Sequence, residues 1–447
     1  MPEAAASTSP QLADEVREIF QVPPERAKFT PLTHNPRNGV TAGVWRVTAG
    51  ERSAVLKVLT RGKDTTETWA ASEDPRHWNF WRREAYVYEE GVARAWEPWG
   101  ITAPELLASV ERPDGDVALW LEDVRGEPAT GWSTEAHAAH ARRLGAAHGT
   151  ALADGWASPT SPARSDGLDS SDGSDGPASP ASSATSEGLD SSDGLDSSDG
   201  LDGPASPASS DGRGGPDGRG GPDGPPLDHS WLSRRFLRDY TAAQTTGREL
   251  LDDDTAWRQP LVRDHFPAGL REDMVRLHHE REWFLRVMES LPRVFSHLDQ
   301  WPANLTSPHR GRSVLFDWAF AGDGALGEDI GNYIPDTIFD RFLPAARLPE
   351  LATAVYEGYV RGLRESGWQG DERIVRLGVC ASAVKYDWLT ALMLSRASDA
   401  QQLDYGGGRT VEAEHHYRER GVVLAFLADW AREARGLATE LGFSRSR

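Results

Sequence analysis

Between residues 294 and 318 the chain reads VFSHLDQWPANLTSPHRGRSVLFDW, and no other stretch constrains the fold as much. Asn304 follows Asp299 of the run His297-Leu298-Asp299 by five residues, and an apolar run, Val314-Leu315-Phe316, then delivers Asp317. Two carboxylates and an amide at this spacing reach one pocket only if the segment folds back on itself, so a strand–loop–strand hairpin is expected. Asn is scarce in this chain, which makes a chance His-x-Asp-x4-Asn improbable. The plainer alternative is a surface loop around a buried Asp–His pair.

Phosphoryl transfer to a hydroxyl needs such a set: one carboxylate at the attacking oxygen, an amide and a second carboxylate to hold Mg²⁺ on the ATP phosphates. Asp299 is the candidate for the first role, and Asn304 and Asp317 for the second. An Asp with an ordinary pKa near 4 is a weak base, so Asp299 is expected to position the hydroxyl more than to deprotonate it. Oxygen donors suit Mg²⁺, a hard cation. His297 is expected to brace the loop through a hydrogen bond.

HLDQWPAN followed by VLFDW resembles the catalytic core of the aminoglycoside phosphotransferase-like small-molecule kinases, in which HxDxxxxN precedes a hydrophobic strand ending in Asp. The resemblance covers most of residues 28–400, with 297–317 its specific part. It implies a two-lobed, protein-kinase-like α+β fold. After an N-terminal lead (1–27), a small β-rich N-lobe (28–123) would bind nucleotide, and a large, mainly helical C-lobe (124–447) would carry the catalytic and acceptor-binding groups.

Residues 12–20 read as a short helix, with Leu12, Val16 and Ile19 on one side. Residues 28–60 read as three strands, KFTPLTH, VWRVTAG and SAVLKVL. The turn-rich NPRNGVTAG between the first two carries Gly39 and Gly43, where backbone N–H groups can approach phosphates, although an ordinary hairpin reads the same way. Alternation puts Lys57 on one face with Val55 and Leu59, and burying its ammonium there requires an acid. The helical stretch 77–95 supplies Glu84, with Glu89 and Glu90 as rivals. By the resemblance, Lys57 matches the strand-three lysine that contacts the nucleotide phosphates, and Glu84 its helix partner. Residues 101–124 form a hairpin around Pro-Asp-Gly. The resemblance makes its end, with Glu122 and Val124, the connector whose backbone meets the adenine.

Residues 134–153 are an Ala-rich helix with Thr134 as N-cap and three histidines, His137, His140 and His148, that lack a metal framework. Trp231, Phe236 and Tyr240 fall near helical spacing, and residues 270–291 carry an amphipathic stripe closed by Pro292. After Asp317, the resemblance implies a glycine-flanked Asp that supports the catalytic loop, Asp329 or its rival Asp323. The remainder, 340–447, is helical by pattern, and His415 and His416 lie on a charged stretch of it.

Residues 154–228 interrupt the C-lobe with GLDSSDG and PASPASS repeats almost free of apolar side chains. Such a composition cannot offset the entropy of ordering, and a disordered acidic insertion is expected. Fourteen acids against three arginines in 158–228 account for about half of the net charge of −21. No basic stripe stands out, which disfavours nucleic acid as a partner. The single cysteine, Cys380, excludes an internal disulfide, and no apolar run approaches the ~20 residues of a membrane span. With no basic, apolar leader in MPEAAASTSP, a cytoplasmic enzyme without a membrane partner is expected.

The sequence therefore points to an ATP- and Mg²⁺-dependent phosphotransferase acting on a hydroxyl of a small molecule: an aminoglycoside, an amino alcohol or a sugar-like metabolite. The alternative is a non-catalytic nucleotide-binding or interaction module of the same fold, although Lys57, Asp299, Asn304 and Asp317 are all present. A hydrolase would need a nucleophile–base pair, and no GxSxG or Cys–His set occurs.

Overall fold

The computed structural model describes residues 10–65, 67–153, 229–308, 311–339, 341–403 and 410–443. The expected disordered insertion at 154–228 lies outside them. A helix, α1 (Pro10–Phe20), is followed by strands β1 (Lys28–Pro31), β2 (Thr41–Ala49) and β3 (Arg52–Leu59). Helix α2 (Arg83–Glu89), strands β4 (Ile101–Thr102), β5 (Leu106–Glu111) and β6 (Val117–Glu122), then β7 (Glu127–Pro128) come next. Five of these strands form one antiparallel sheet in the order β1-β2-β3-β6-β5.

This sheet is apolar on both faces because it separates two cores. Val47, Ala54, Leu56, Val58, Ala118 and Trp120 pack under Leu12, Val16 and Phe20 of α1. The alternate residues Leu59, Val117, Leu119 and Leu121 join the main core with Ala85 and Tyr88 of α2. Each of the three α1 side chains gains about 1.5–3 kcal/mol by burial. Glu15 fastens α1 further, accepting from Arg112 and from Trp120 Nε1 at 2.8 Å. The residues read as a lead are thus part of the small lobe. Lys57, in step with Leu59, faces the main core and α2.

Helix α2 is shorter than the 77–95 stretch expected of it. Asn79 gives both amide hydrogens to the carbonyls of Trp69 and Ala70, and Arg83 collects the carbonyls of Pro75, His77 and Trp78, which holds residues 75–80 out of helix. The expected hairpin is also shorter: Ile101 and Thr102 leave it to pair in parallel with Ser313 and Val314.

The helical lobe starts with α3 (Thr134–Ala153). Its cap is Ser133, whose Oγ accepts the Ala136 N–H at 3.3 Å, one residue before the expected Thr134. The Thr134 hydroxyl instead donates to Glu350. Next come α4 (Phe236–Ala243), α5 (Asp254–Trp257), α6 (Pro260–His265), α7 (Leu270–His279) and α8 (Arg281–Ser290). The stripe at 270–291 is two helices, broken where the Glu280 carboxylate is held by Arg276 and Arg435.

Strands β8 (Arg293–Ser296), β9 (Leu305–Ser307), β10 (Ser313–Leu315) and β11 (Gly322–Ala325) follow. The 294–318 motif is therefore not one hairpin. β9 and β10 pair with each other in the order β4-β10-β9-β7, whereas β8 pairs with β11. Helices α9 (Glu328–Phe339), α10 (Leu348–Glu365), α11 (Glu372–Ala381), α12 (Asp387–Arg396) and α13 (Ala413–Glu440) complete the lobe. Helices α3 and α10 pack backbone to backbone: a Cβ on Gly145 would lie 2.1 Å from the Tyr359 carbonyl oxygen, and one on Gly362 1.9 Å from that of Arg142. The run Glu372–Arg396 is, contrary to expectation, long and apolar enough by length and composition to cross a membrane; 94% of its most apolar window is buried, as in a core helix.

Candidate active site

Asp299 lies in the loop after β8, and Asn304 in the short turn before β9. The Asn304 Nδ2 donates to the Asp299 carbonyl at 3.1 Å and to its Oδ2 at 3.0 Å. The loop is over-determined. His297 accepts the Asp299 N–H on Nδ1 at 3.3 Å and bonds the Phe316 carbonyl through Nε2 at 2.9 Å, so it is a neutral Nε2–H tautomer. Burial pushes its pKa down to about 4. The Asp329 carboxylate, on α9, accepts the N–H groups of Leu298 at 2.8 Å and His297 at 3.0 Å. Asp323, the rival for that place, bonds Arg293 instead.

Leu298 and Asp317 both sit in the left-handed region, at φ 65° and 58°. A β-carbon there costs about 1–3 kcal/mol, and such strain persists where surrounding bonds enforce it. At Leu298 the enforcing bond is Asp329. The strained turn at Asp317 brings its carboxylate against the small lobe: Lys57 Nζ lies 2.8 Å from Asp317 Oδ1 and 2.5 Å from Glu84 Oε2. Of the three candidate acids Glu84, Glu89 and Glu90, it is Glu84 that meets Lys57. Glu89 accepts from Ser109, and Glu90 from Trp231. Burial draws the Lys57 ammonium down, but the facing carboxylates of Asp317 and Glu84 outweigh it and hold the pKa above the usual lysine value.

Asp299 departs from the ordinary value expected of it. Burial, and then the neighbouring charge of Asp317, push its pKa up to about 7, against the pull of Lys385. The Asp317 carboxyl stays below its usual range because Lys57 overcomes the effect of burial.

The nucleotide-loop candidates are less simply placed. Gly39 gives its N–H to the Trp69 carbonyl at 2.8 Å, so that donor is not free for a phosphate. A Cβ there would lie 2.7 Å from the same oxygen, which is why glycine fits. Gly43 is not in the loop but in β2, opposite Val58 at a bulge, next to the Val44–Lys57 pair. Glu122 is tied into its hairpin, its N–H on the Glu105 carbonyl at 2.9 Å and its carboxylate on the Glu105 N–H. The backbone of Val124, two residues on, bonds to no other described residue.

Several supporting residues went unread in the sequence. Arg83 is fully buried beside Glu84 and donates to five carbonyls: Pro75, His77, Trp78, Trp231 and Ala319. It thereby joins the small lobe to the turn after Asp317. Gln300 bridges Asp329 to His140, whose other nitrogen meets Ser313. His137 and His148 pair with the hydroxyls of Tyr333 and Tyr359. These three helix histidines are thus bonded core residues. His416, on the charged stretch of the C-terminal region, is buried too. Only the adjacency of Arg83 to Glu84 was visible in sequence, and adjacency alone does not mark a function.

The site suits a nucleotide with a divalent cation. Asp317 is 44% exposed and, like Asn304, offers oxygen to a hard ion, the Asn304 Nδ2 being engaged on Asp299. The family profile of the Phosphotransferase enzyme family matches residues 34–369. No curated protein matches the sequence. Among solved structures, the chain is similar to an amicoumacin kinase in complex with AMP-PNP, Ca²⁺ and Ami: 12% identity, TM-score 0.47, covering 100% of this chain and 98% of that one. A microcompartment-associated aminopropanol kinase gives 14%, 0.45, 97% and 98%. A choline/ethanolamine kinase family protein from Mesorhizobium loti gives 14%, 0.44, 98% and 98%. By the family match over most of its length, this chain belongs to the phosphotransferase enzyme family and is an ATP-dependent kinase acting on an alcohol group of a small molecule.

Proposed function

We propose that Asp299 orients the acceptor hydroxyl for in-line attack on the γ-phosphate of ATP, and that Asn304 and Asp317 hold Mg²⁺. The observation that carries this reading is the hydrogen bond from Asn304 to Asp299 Oδ2, which ties the acceptor side to the metal side and leaves the other Asp299 oxygen for a hydroxyl. Mg²⁺ bound there would neutralise charge on the transferring phosphoryl group. Lys57, fixed by Glu84, presents its ammonium to the nucleotide phosphates. The backbone of Val124 supplies unpaired polar groups for the adenine edge. Asp299 takes the hydroxyl proton late in the transfer, so its position matters more than its basicity. His297 only holds the loop: its nitrogens are both engaged.

The test is Mg²⁺-dependent ATP turnover against amino sugars, amino alcohols and polyols, for wild type and Asp299→Asn. Acceptor-stimulated turnover that falls at least about 1,000-fold in the variant, with nucleotide affinity kept, supports the assignment. Equal turnover in both proteins removes Asp299 from the role. Nucleotide binding without turnover on any acceptor would favour the non-catalytic module.

A further inference from the structure

Lys385 stands in the turn between α11 and α12 and is 5% exposed. Its Nζ lies 3.3 Å from Asp336 Oδ2 on α9. It also lies 5.5, 5.9 and 6.0 Å from the ring centres of Tyr386, Tyr240 and Phe236. Aromatic faces around a carboxylate are the means by which proteins take up an ammonium ligand. Here the four groups come from α4, α9 and the α11–α12 turn, and the cation they enclose is the chain's own. The arrangement is tight enough to stabilise a buried charge that would otherwise be costly.

Helix α9, which carries Asp336, packs both against the α11–α12 turn and against the turn that ends in Asn304, so the cage lies next to the Asp299 loop. The charges of Lys385 and Asp336 both act on the Asp299 carboxyl, with opposite sign. Lys385 acts on Asp329 as well, the residue that holds the loop of Asp299. An acceptor carrying an ammonium close to its reacting hydroxyl would bring that charge up to a cage already filled by a like charge. An acceptor carrying hydroxyls or a carboxylate would meet an N–H donor instead.

We propose that Lys385 is a specificity-determining residue: its ammonium occupies the cation cage beside Asp299, so that the acceptor is a polyol or hydroxy acid and not an amino alcohol. The inference rests on the kinase reading, but the cage can be probed without turnover. The full-length Lys385→Ala chain should bind tetramethylammonium, and the melting temperature of the protein should rise by about 2 °C at ten times Kd relative to sodium chloride of equal ionic strength. Wild type should show no measurable rise, its affinity being at least about a hundredfold weaker. A rise in both proteins, or in neither, overturns the proposal. If Lys385→Ala does not fold alone, its refolding yield with methylammonium against sodium chloride reads the same cage, and equal yields overturn it.

Turnover supplies the second arm. Wild type should prefer glycerol and glycerate to ethanolamine and choline by at least tenfold, and Lys385→Met should narrow that ratio. A wild-type preference for choline or ethanolamine overturns the proposal. Absence of ATP turnover on every alcohol bears on the kinase reading alone and leaves the cation-binding result to decide the role of Lys385.

Discussion

Replacing Arg83 by lysine keeps the positive charge and removes the fork. The guanidinium of Arg83 makes five hydrogen bonds, 2.6–3.0 Å long, to carbonyls in three segments: 75–78, Trp231 and Ala319. An ammonium has three N–H groups and one centre, so at least two of the five carbonyls lose their donor. Hydrogen bonds to a charged group are worth about 1.5–3 kcal/mol each, which puts the expected loss at about 3–6 kcal/mol. That is a large share of the ~5–15 kcal/mol that holds a domain folded. With an m-value of about 3 kcal/mol/M in urea, the unfolding midpoint should fall by about 1–2 M. Because the Ala319 carbonyl lies two residues past Asp317, turnover at saturating ATP should fall as well in the folded fraction. A midpoint within about 0.3 M of wild type, with an unchanged m-value, would refute the reasoning: the carbonyls would then have other donors, and the fork would not be what joins the segments.

Three other outcomes are expected. Burial pushes His140 and His148 down to about 3, so below pH 6.5 the unfolded chain takes up protons that the folded chain refuses. The stability they confer is complete above pH 6.5 and drains away as the pH falls toward 3, by about 2 kcal/mol each at pH 5; a His148→Gln variant with the same pH slope as wild type would contradict this. Gly362→Ala forces a methyl group to 1.9 Å from the Arg142 carbonyl oxygen, so α3 and α10 must part. Thermal unfolding should register a loss of about 3 kcal/mol, and an unchanged melting temperature would show that the seam yields freely. Glu84→Gln leaves Lys57 with Asp317 as its carboxylate partner and should cost about 1–3 kcal/mol of stability. Its nucleotide affinity should drop about tenfold, measured by titration calorimetry, and wild-type affinity would mean that Glu84 does not place the lysine.

The sequence disclosed the groups whose spacing along the chain is itself the signal. Asp299 and Asn304 lie within one loop, and alternation in SAVLKVL was enough to give the face of Lys57. Glu84 could be ranked above Glu89 and Glu90 because helical spacing places it on the side where Ala85 and Tyr88 turn inward. What stayed hidden depends on contacts between distant segments. Arg83 meets Trp231 and Ala319, Gln300 meets His140, and Lys385 meets Asp336 and Tyr240, and none of these pairs has a local pattern. The overlong helix at 77–95 failed for the same reason: its first turns are unwound by bonds to Trp69 and Ala70 that helical periodicity does not encode. Gly39 was read for its freedom to meet a phosphate, whereas its bareness admits the Trp69 carbonyl.

The sheet β4-β10-β9-β7 also sets an order of assembly. Its outer strands, β4 and β7, are made before residue 130, and its inner pair after residue 304, so the ends of a loop of roughly 200 residues must meet before it exists. The five-stranded sheet draws only on residues up to Glu122 and can pair while the rest of the chain is still being synthesised. Residues 101–102 and 127–128 then wait, with their edges unpaired, for strands that leave the ribosome about ten to forty seconds later at ~5–20 residues per second. The expected birth order is the five-stranded sheet first and the loop of Asp299 last, so a chain stalled or cut short of residue 315 holds a folded sheet without its β9–β10 pair.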